Sequence, residues 1–443
     1  MTKLTTSLQK ERTTQKSDGE KIRDFQRKIY LKAKQEKGFR FYVLYDKIRS
    51  KRFLKEAYKR VKANKGAAGV DGVTFKEIEE NGVEQYLREI QEELERKSYR
   101  PLPVKRVYIP KANGKERPLG IPTIKDRIVQ MSCKLVIEPI FEADFEDSSY
   151  GFRPKKSAEG AIGAIKKAMQ AGKTEVLDAD LSAYFDTIPH DKLMITVAQR
   201  ISDKNVLHLI KMWLKAPVKD ERDGGSAKKN KIGTPQGGVI SPLLANIYLH
   251  LVDRLVNKMN SIFQKNGIEI VRYADDFVLM GRQITEASLD KLKSVLARME
   301  LRLNEEKTKI VEAREESFDF LGFTIRYDRD IYGRNRKYWN IIPSQKSSKK
   351  IREKIREWLT KNRTATPSQV AAGLNRIIRG WINYFQIKGV SYPKKALRDL
   401  RYYLREKLNR YYKRKSQRKS KLYRQGAFEV LVEKYGLIDP SKC

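Results

Sequence analysis

Residues 271–280, VRYADDFVLM, place two adjacent acids, Asp275 and Asp276, inside an apolar run. Neighbouring carboxylates repel one another and resist leaving water. Ile268, Ile270, Val271, Phe277, Val278 and Leu279, by contrast, are strand formers that favour a half-buried, pleated surface. A chain meets both demands by reversing at the acids, with two buried strands and a tip that carries the pair. Asp-bearing turns often do nothing more than reverse a chain. The other reading is a hard-oxygen site suited to Mg²⁺, which needs a third carboxylate from another strand.

A second acidic place lies in TEVLDADLSAYFDTI, residues 174–188. Val176, Leu177 and Leu181 read as a buried strand, and Asp178 and Asp180, two apart, share one of its faces. Either could meet the 275/276 tip. Asp186 reads as a cap or turn residue near Pro189. Between the two acidic places, GTPQGGVISPLLANIYLHLVD (233–253) begins as a loop and continues as an apolar helix. Gly237 and Gly238 there either admit a ligand close to the backbone or simply form a loop. An amphipathic helix is expected over Leu289–Leu303, and FDFLGFTIRY (318–327) is rich in strand formers. The order of acid strand, glycine-rich loop with helix, and acid hairpin matches a polymerase palm, in which two or three aspartates hold two Mg²⁺ ions roughly 3.5–4 Å apart.

Ahead of these elements, residues 1 to about 20 are polar and expected to fray, and Ile22 to about Lys62 carries two or three basic helices. After the glycine-rich 65–74 segment comes a helix over Val83–Arg96. A hairpin follows, with strand Val104–Ile109, a turn at Asn113-Gly114 and a return toward Leu119 and Ile121. Its Lys105, Arg106, Lys111, Lys115 and Arg117 fit either a solvated hairpin or a basic finger that closes on phosphates. Helices over Ile124–Phe141 and Ala158–Met169 complete this part. Beyond Pro343 the composition turns to basic helices. Residues 394–424 hold 14 Lys or Arg against two acids, with a stripe of Leu397, Leu400, Leu404 and Leu408 that reads as core. Like charges so crowded along one helix call for a counter-charge.

That excess extends to the whole chain, where 94 Lys and Arg face 55 Asp and Glu for a formal net charge of +39. Nucleic acid is the partner this implies, with Arg398, Arg401 and Arg405 of the last basic helix, and Lys105 and Arg106 of the hairpin, as candidate contacts. No membrane partner is expected. No secretory or lipidation signal is visible, and the uncharged window 232–252 is broken by Pro235, Gly237, Gly238, Pro242 and Asn246. Two cysteines, Cys133 and Cys443, make no disulfide framework and fit a cytoplasmic protein. The three histidines, at 190, 208 and 250, argue against a His-rich metal site and against a histidine-dependent nuclease in the C-terminal part.

Motifs in nine places, one of them holding two segments, carry a resemblance by their order. They are GVDGVT (69–74), YRPLPVKRVYIPK and KERPLGIP within 99–122, SYGFRPKKSA (149–158), DADLSAYFD (178–186), GTPQGGVISPLLANIYL (233–249), RYADDF (272–277), LNEEKTKI (303–310), FLGF (320–323) and RGWINYF (379–385). The chain resembles the group II intron-encoded reverse transcriptases, or maturases. The resemblance implies an α+β right-hand polymerase, with fingers and palm built on antiparallel sheet, followed by an all-α thumb or maturase domain. It implies Asp180, Asp275 and Asp276 as catalytic carboxylates and ligands of two Mg²⁺ ions, and leaves Asp178 outside the pattern. Phe185 matches the aromatic that stands where a ribose 2′-hydroxyl would project, and also fits core packing. Lys111 and Arg117 match residues that grip the nucleotide triphosphate, and Gln236 the loop that lines the nascent base pair. Lys307 matches either an acid for the departing pyrophosphate or a plain surface lysine. Trp381 and Phe385 are expected in the core of their helix.

The expected organisation is a basic helical extension over 1–60, fingers and palm over 61–330, thumb or maturase domain over 331–424, and a tail over 425–443 without an endonuclease domain. The implied activity is RNA-directed DNA synthesis together with binding of intron RNA in splicing and mobility, so the partners are intron RNA, an RNA template with DNA primer, dNTPs and a DNA target. Two other readings stay open: a splicing-only RNA-binding maturase, and a reverse transcriptase domesticated in phage defence. Because the implied affinity is dominated by released counterions, RNA binding should fall steeply and log-linearly with salt. Titration of a labelled RNA at several salt concentrations measures the slope, and a flat response would contradict the assignment of the basic helices.

Overall fold

The computed structural model describes residues 16–110, 114, 116–223, 226–329, 337–413 and 420–443. The chain forms two compact units, Met1–Glu146 with Ser182–Val252 and Val295–Arg302, and Asp147–Leu181 with Asp253–Ser294 and Leu303–Cys443. Among the described residues no helix is long and apolar enough to cross a membrane.

Helices dominate the first unit. Asp18–Gln35 starts inside the stretch expected to fray, because Ser17 and Glu20 close a capping box on its first turn. This helix and Lys51–Ala63 pack on Ile124–Glu142, whose Ile128, Val129, Cys133, Val136, Ile137 and Ile140 are wholly buried. The basic hairpin is present as Val104–Pro110 paired antiparallel with Glu116–Ile121, Ile109 opposite Arg117. Short strands Val218–Lys219 and Ala227–Lys228 widen it into a four-stranded sheet. Gly237, at φ 111°, lies so near this sheet that a Cβ would stand 2.2 Å from the Gly120 carbonyl oxygen. The loop thus needs glycine for both reasons.

In the second unit four antiparallel strands stand in the order Glu269–Tyr273, Asp276–Gly281, Glu175–Ala179, Lys309–Glu312. Val176, Val271, Val278 and Met280 are buried in one cluster with residues of helix Ala158–Gln170 and of a second sheet, Phe318–Phe320, Phe323–Arg329 and Lys337–Pro343. Helices Gln345–Lys361, Pro367–Phe385, Lys394–Lys413 and Ala427–Tyr435 share another core, into which Leu397, Leu400, Leu404 and Leu408 all point. Phe385 is buried and Trp381 packs against both clusters, as expected of core residues. The helix expected over Leu289–Leu303 runs Glu286–Arg298 instead. Met299 and Leu301 are buried beyond its end, so apolar spacing outlasts the helix, and Leu303 pairs with Leu181 in an antiparallel bridge.

One buried ion pair fixes the acid hairpin. Arg272 and Asp253 are both wholly buried, and the guanidinium meets the carboxylate two-pronged, Nε to Oδ1 at 2.8 Å and Nη2 to Oδ2 at 2.5 Å. Its Nη1 donates to the carbonyl of Ala274 at 2.8 Å. The Arg272 backbone donates to Ser148 O at 2.9 Å and accepts from Tyr150 N at 2.8 Å. Gly151, next along, lies so close that a Cβ would stand 2.3 Å from Ala274 N. Asp253→Ala should therefore lower stability by about 3–5 kcal/mol, since it leaves a buried charge uncompensated. Gly151→Ala should also destabilise, by displacing the turn. Calorimetric melting of each variant beside the wild type measures both effects.

Candidate active site

Asp180 follows directly on strand Glu175–Ala179. The last registered pair of that strand with its neighbour is Ala179 opposite Phe277, so one step further brings Asp180 to Asp276. The hairpin closes at Tyr273 paired with Asp276, leaving Ala274 and Asp275 as a two-residue tip. Ala274 has φ 60°, a left-handed conformation that costs an L-residue about 1–2 kcal/mol. The hydrogen bond from Arg272 to its carbonyl helps hold it there.

Segment LNEEKT (303–308) wraps Asp180. Asn304 N donates to the Asp180 carbonyl at 2.8 Å, and Asp180 N donates to Thr308 Oγ1 at 3.4 Å. The carboxylate Oδ2 accepts from Lys307 Nζ at 2.9 Å and from Asn304 Nδ2 at 3.2 Å. Asp276 keeps contact with solvent, yet the surrounding protein, then Asp275, Asp180 and Asp178, push its carboxyl up to about 6, against a smaller opposing pull from Lys307. Burial likewise pushes Asp178 up to about 6, with Asp180 and Asp319 adding to the effect and Lys309 opposing it. The carboxylates therefore share one field. They do not form a closed cage: among the described residues no three His, Cys, Asp or Glu side chains stand at metal-holding spacing. Oxygen-only donors, mutual repulsion and an ammonium already seated on Asp180 are the features of a site that suits a hard cation.

The first unit holds the other expected residues. Phe185 is half-buried, its ring edge-on to Tyr184 with centroids 5.6 Å apart, and its carbonyl accepts from Thr234 N at 2.7 Å. Gln236 does more than line a loop, since its carbonyl accepts from Gly120 N at 2.5 Å and its amide donates to Asp186 Oδ2 at 3.4 Å. Asp186, read as a cap, thus also anchors this loop. Arg117 is exposed, and Lys111 lies outside the described residues. Lys105 pairs with Glu221 at 3.3 Å, and Arg106 is half-buried.

In the second unit Arg398 is exposed, whereas Arg401 pairs with Asp439 at 3.2 Å and Arg405 with Glu429 at 2.9 Å, so those two charges are partly met within the protein. Sequence reasoning missed Asp253, Arg272 and Asn304. Arg272 left a signal, a charge set among strand formers, which is costly to bury unless paired.

The raised Asp276 has a sign that can be checked. The native protein keeps this proton up to about 6, whereas the unfolded chain releases it near 3.8. Ionisation therefore erodes stability as pH rises between those values. Asp276→Asn should melt a few degrees above the wild type at neutral pH in the presence of chelator, and the gain should vanish below about pH 4. Thermal melts across that range measure it.

Comparison with known proteins agrees with the motifs. A reverse transcriptase (RNA-dependent DNA polymerase) family model matches residues 109–325, and a group II intron maturase-specific domain model matches 348–427. Protein YkfC of Escherichia coli (strain K12) is 38% identical over 362 residues, 74% of this chain and 93% of that protein. Group II intron-encoded protein LtrA of Lactococcus lactis subsp. cremoris is 37% identical over 214 residues, 48% of this chain and 35% of LtrA. An uncharacterized 91 kDa protein in a cob intron of Schizosaccharomyces pombe is 27% identical over 408 residues, 74% of this chain and 49% of that protein. The mixed α/β sheet region and the helical C-terminal region fall where the two models match, and the chain belongs to the group II intron-encoded reverse transcriptase/maturase family, RNA-directed DNA polymerases that also serve intron splicing and mobility.

Proposed function

We propose that Asp180, Asp275 and Asp276 hold two Mg²⁺ ions and that this chain copies RNA into DNA there, as a right-hand polymerase with fingers and palm over 61–330 and a thumb or maturase domain over 331–424. The observation that carries this reading is the convergence of the acids at the ends of adjoining strands, Ala179 opposite Phe277 and Tyr273 opposite Asp276, where burial, and after it Asp275, Asp180 and Asp178, push the Asp276 carboxyl up to about 6. When bound, the ions lower the cost of charge on the attacking and departing oxygens. Everything else is work for the chain. Arg272 and Asp253 set the height of the tip through Ala274. Asn304 and Lys307 orient the Asp180 carboxylate. Lys307 stands on the same carboxylate, where an ammonium can meet the charge of a departing pyrophosphate and give up a proton to it.

Arg117, with Lys111, is proposed to grip the incoming triphosphate. Phe185 is proposed to exclude the 2′-hydroxyl, and Gln236, braced by Gly120 and Asp186, to line the new base pair. The proposed partners are intron RNA, an RNA template with DNA primer, dNTPs and a DNA target. RNA is proposed to meet Lys105, Arg106, Arg398, Arg401 and Arg405, of which Arg401 and Arg405 would first have to leave Asp439 and Glu429.

Primer extension on an RNA template with Mg²⁺ and dNTPs tests the activity. Asp275→Ala should reduce incorporation by at least about a thousandfold, the scale of losing a principal charge stabiliser, while splicing of the host intron in its presence stays close to the wild-type rate. Extension undiminished in that variant would refute the assignment, and an inactive wild type that still promotes splicing would favour a splicing-only maturase.

A further inference from the structure

Phe185, the proposed gate against a 2′-hydroxyl, belongs to a single helical turn, Tyr184–Thr187, too short to hold its own shape. The residue before it, Ala183, stands at φ 46°, a left-handed conformation that L-residues resist. Two anchors from elsewhere in the first unit hold this turn. Tyr184 is buried, and its hydroxyl donates to the Ala245 carbonyl at 2.7 Å. Residues 233 and 234 supply the other anchor. Thr234 N donates to the Phe185 carbonyl at 2.7 Å, and Gly233 N to the Ile188 carbonyl at 2.8 Å. Gly233 comes so close that a Cβ there would stand 2.8 Å from the backbone of Asp186. The place of Phe185 therefore follows the place of the Gly233–Thr234 backbone.

That backbone is held in turn by a histidine that has no role in the reading above. His190 Nε2 stands 2.7 Å from the Gly233 carbonyl oxygen. A carbonyl can only accept, so Nε2 carries a proton and donates it. Asn230 Nδ2 donates to the same oxygen at 3.3 Å, and to the Leu214 carbonyl at 2.9 Å. The Gly233 carbonyl and the Thr234 N–H are the two ends of one planar peptide unit. To swing the carbonyl away from His190 is to swing the N–H away from Phe185. His190 is half-buried and lines a cavity of about 780 Å³, so packing does not enclose the ring, and its hydrogen bond decides where it rests.

We propose that His190 is a positioning residue for sugar selection. Through the Gly233–Thr234 peptide it holds Phe185 where the 2′-hydroxyl of a ribonucleoside triphosphate would collide, and so favours dNTPs over rNTPs. The proposal rests on the reading of Phe185 as the gate, and adds to it the residue that keeps the gate shut.

Incorporation of one nucleotide on an RNA template with a DNA primer gives kcat/KM for a dNTP and for the matching rNTP, and the ratio of the two measures the gate. His190→Phe keeps an aromatic ring and removes the donor. Its ratio should fall about five- to tenfold, the scale of one hydrogen bond, through a gain for the rNTP. His190→Gln returns an N–H to the place of Nε2 and should restore the ratio to within about twofold of the wild type. A role in stability alone would lower both kcat/KM values together and leave the ratio where it was. In a Phe185→Ala background, His190→Phe should change the ratio by less than about twofold, because its effect passes through the missing ring. Thermal melting checks that each variant folds. Should His190→Phe not fold, Asn230→Ala removes the other donor to the same carbonyl and should lower the ratio about two- to threefold.

A folded His190→Phe with the ratio of the wild type would overturn the proposal, as would an equal fall in His190→Gln or in the Phe185→Ala background. So would Phe185→Ala with an unchanged ratio, which would remove the gate itself. Each of these outcomes is read against a wild type that extends primers with dNTPs, so it is distinct from an inactive wild type, which would refute the polymerase reading.

Discussion

A carboxylate tip cannot hold its own shape, because its charges push apart and its backbone is bent against its preference. In this protein a buried arginine bears that load. Arg272 sits at the end of a strand, takes both oxygens of Asp253 and spends a further donor on the carbonyl of Ala274. A lysine could not do this, since a compact ammonium lacks the planar fork that meets two oxygens while a third donor points elsewhere. The pair is thus better described as a device for position than as a source of stability, the usual balance for ions taken out of water. The neighbouring strand register and the close approach of Gly151 then have a fixed object to pack against.

The two acid segments differ in how they are held. The 275/276 tip is set by a buried ion pair and a left-handed alanine, whereas Asp180 is set by a chain segment that folds around it with one backbone and two side-chain hydrogen bonds to its oxygens. A rigid partner and a more adaptable one suit a site whose proposed work requires charge to arrive and leave. The position of the adaptable part in an exposed turn fits that division, since Lys307 is 64% exposed.

Much of this was legible in the sequence, for identifiable reasons. Strand formers on both sides of the acid pair marked two strands and the turn between them, and the apolar content of residues 124–141 marked a helix that runs Ile124–Glu142. The leucine stripe of residues 397–408 could be read as core because it recurs at helical spacing beneath a charged face. What failed did so where local pattern and tertiary need diverge. Buried Met299 and Leu301 continued a helical period into a turn, and a capping box overrode the polar composition near residue 18. The anchoring role of Arg272 was hidden because the partner, Asp253, lies 19 residues away on a helix. Pairing of that kind is set by packing, which no periodicity records.

The contact between Lys307 and Asp180 has a thermodynamic corollary. An ammonium has a single charge to share, and here it neutralises part of the acidic field. Any polyanion that draws Lys307 toward itself returns that negative charge to Asp180 and so tightens the hold of the acids on a cation. By reciprocity, a cation seated among the acids frees Lys307 for the polyanion. The two ligands would then bind cooperatively, with one lysine as a coupling element between them.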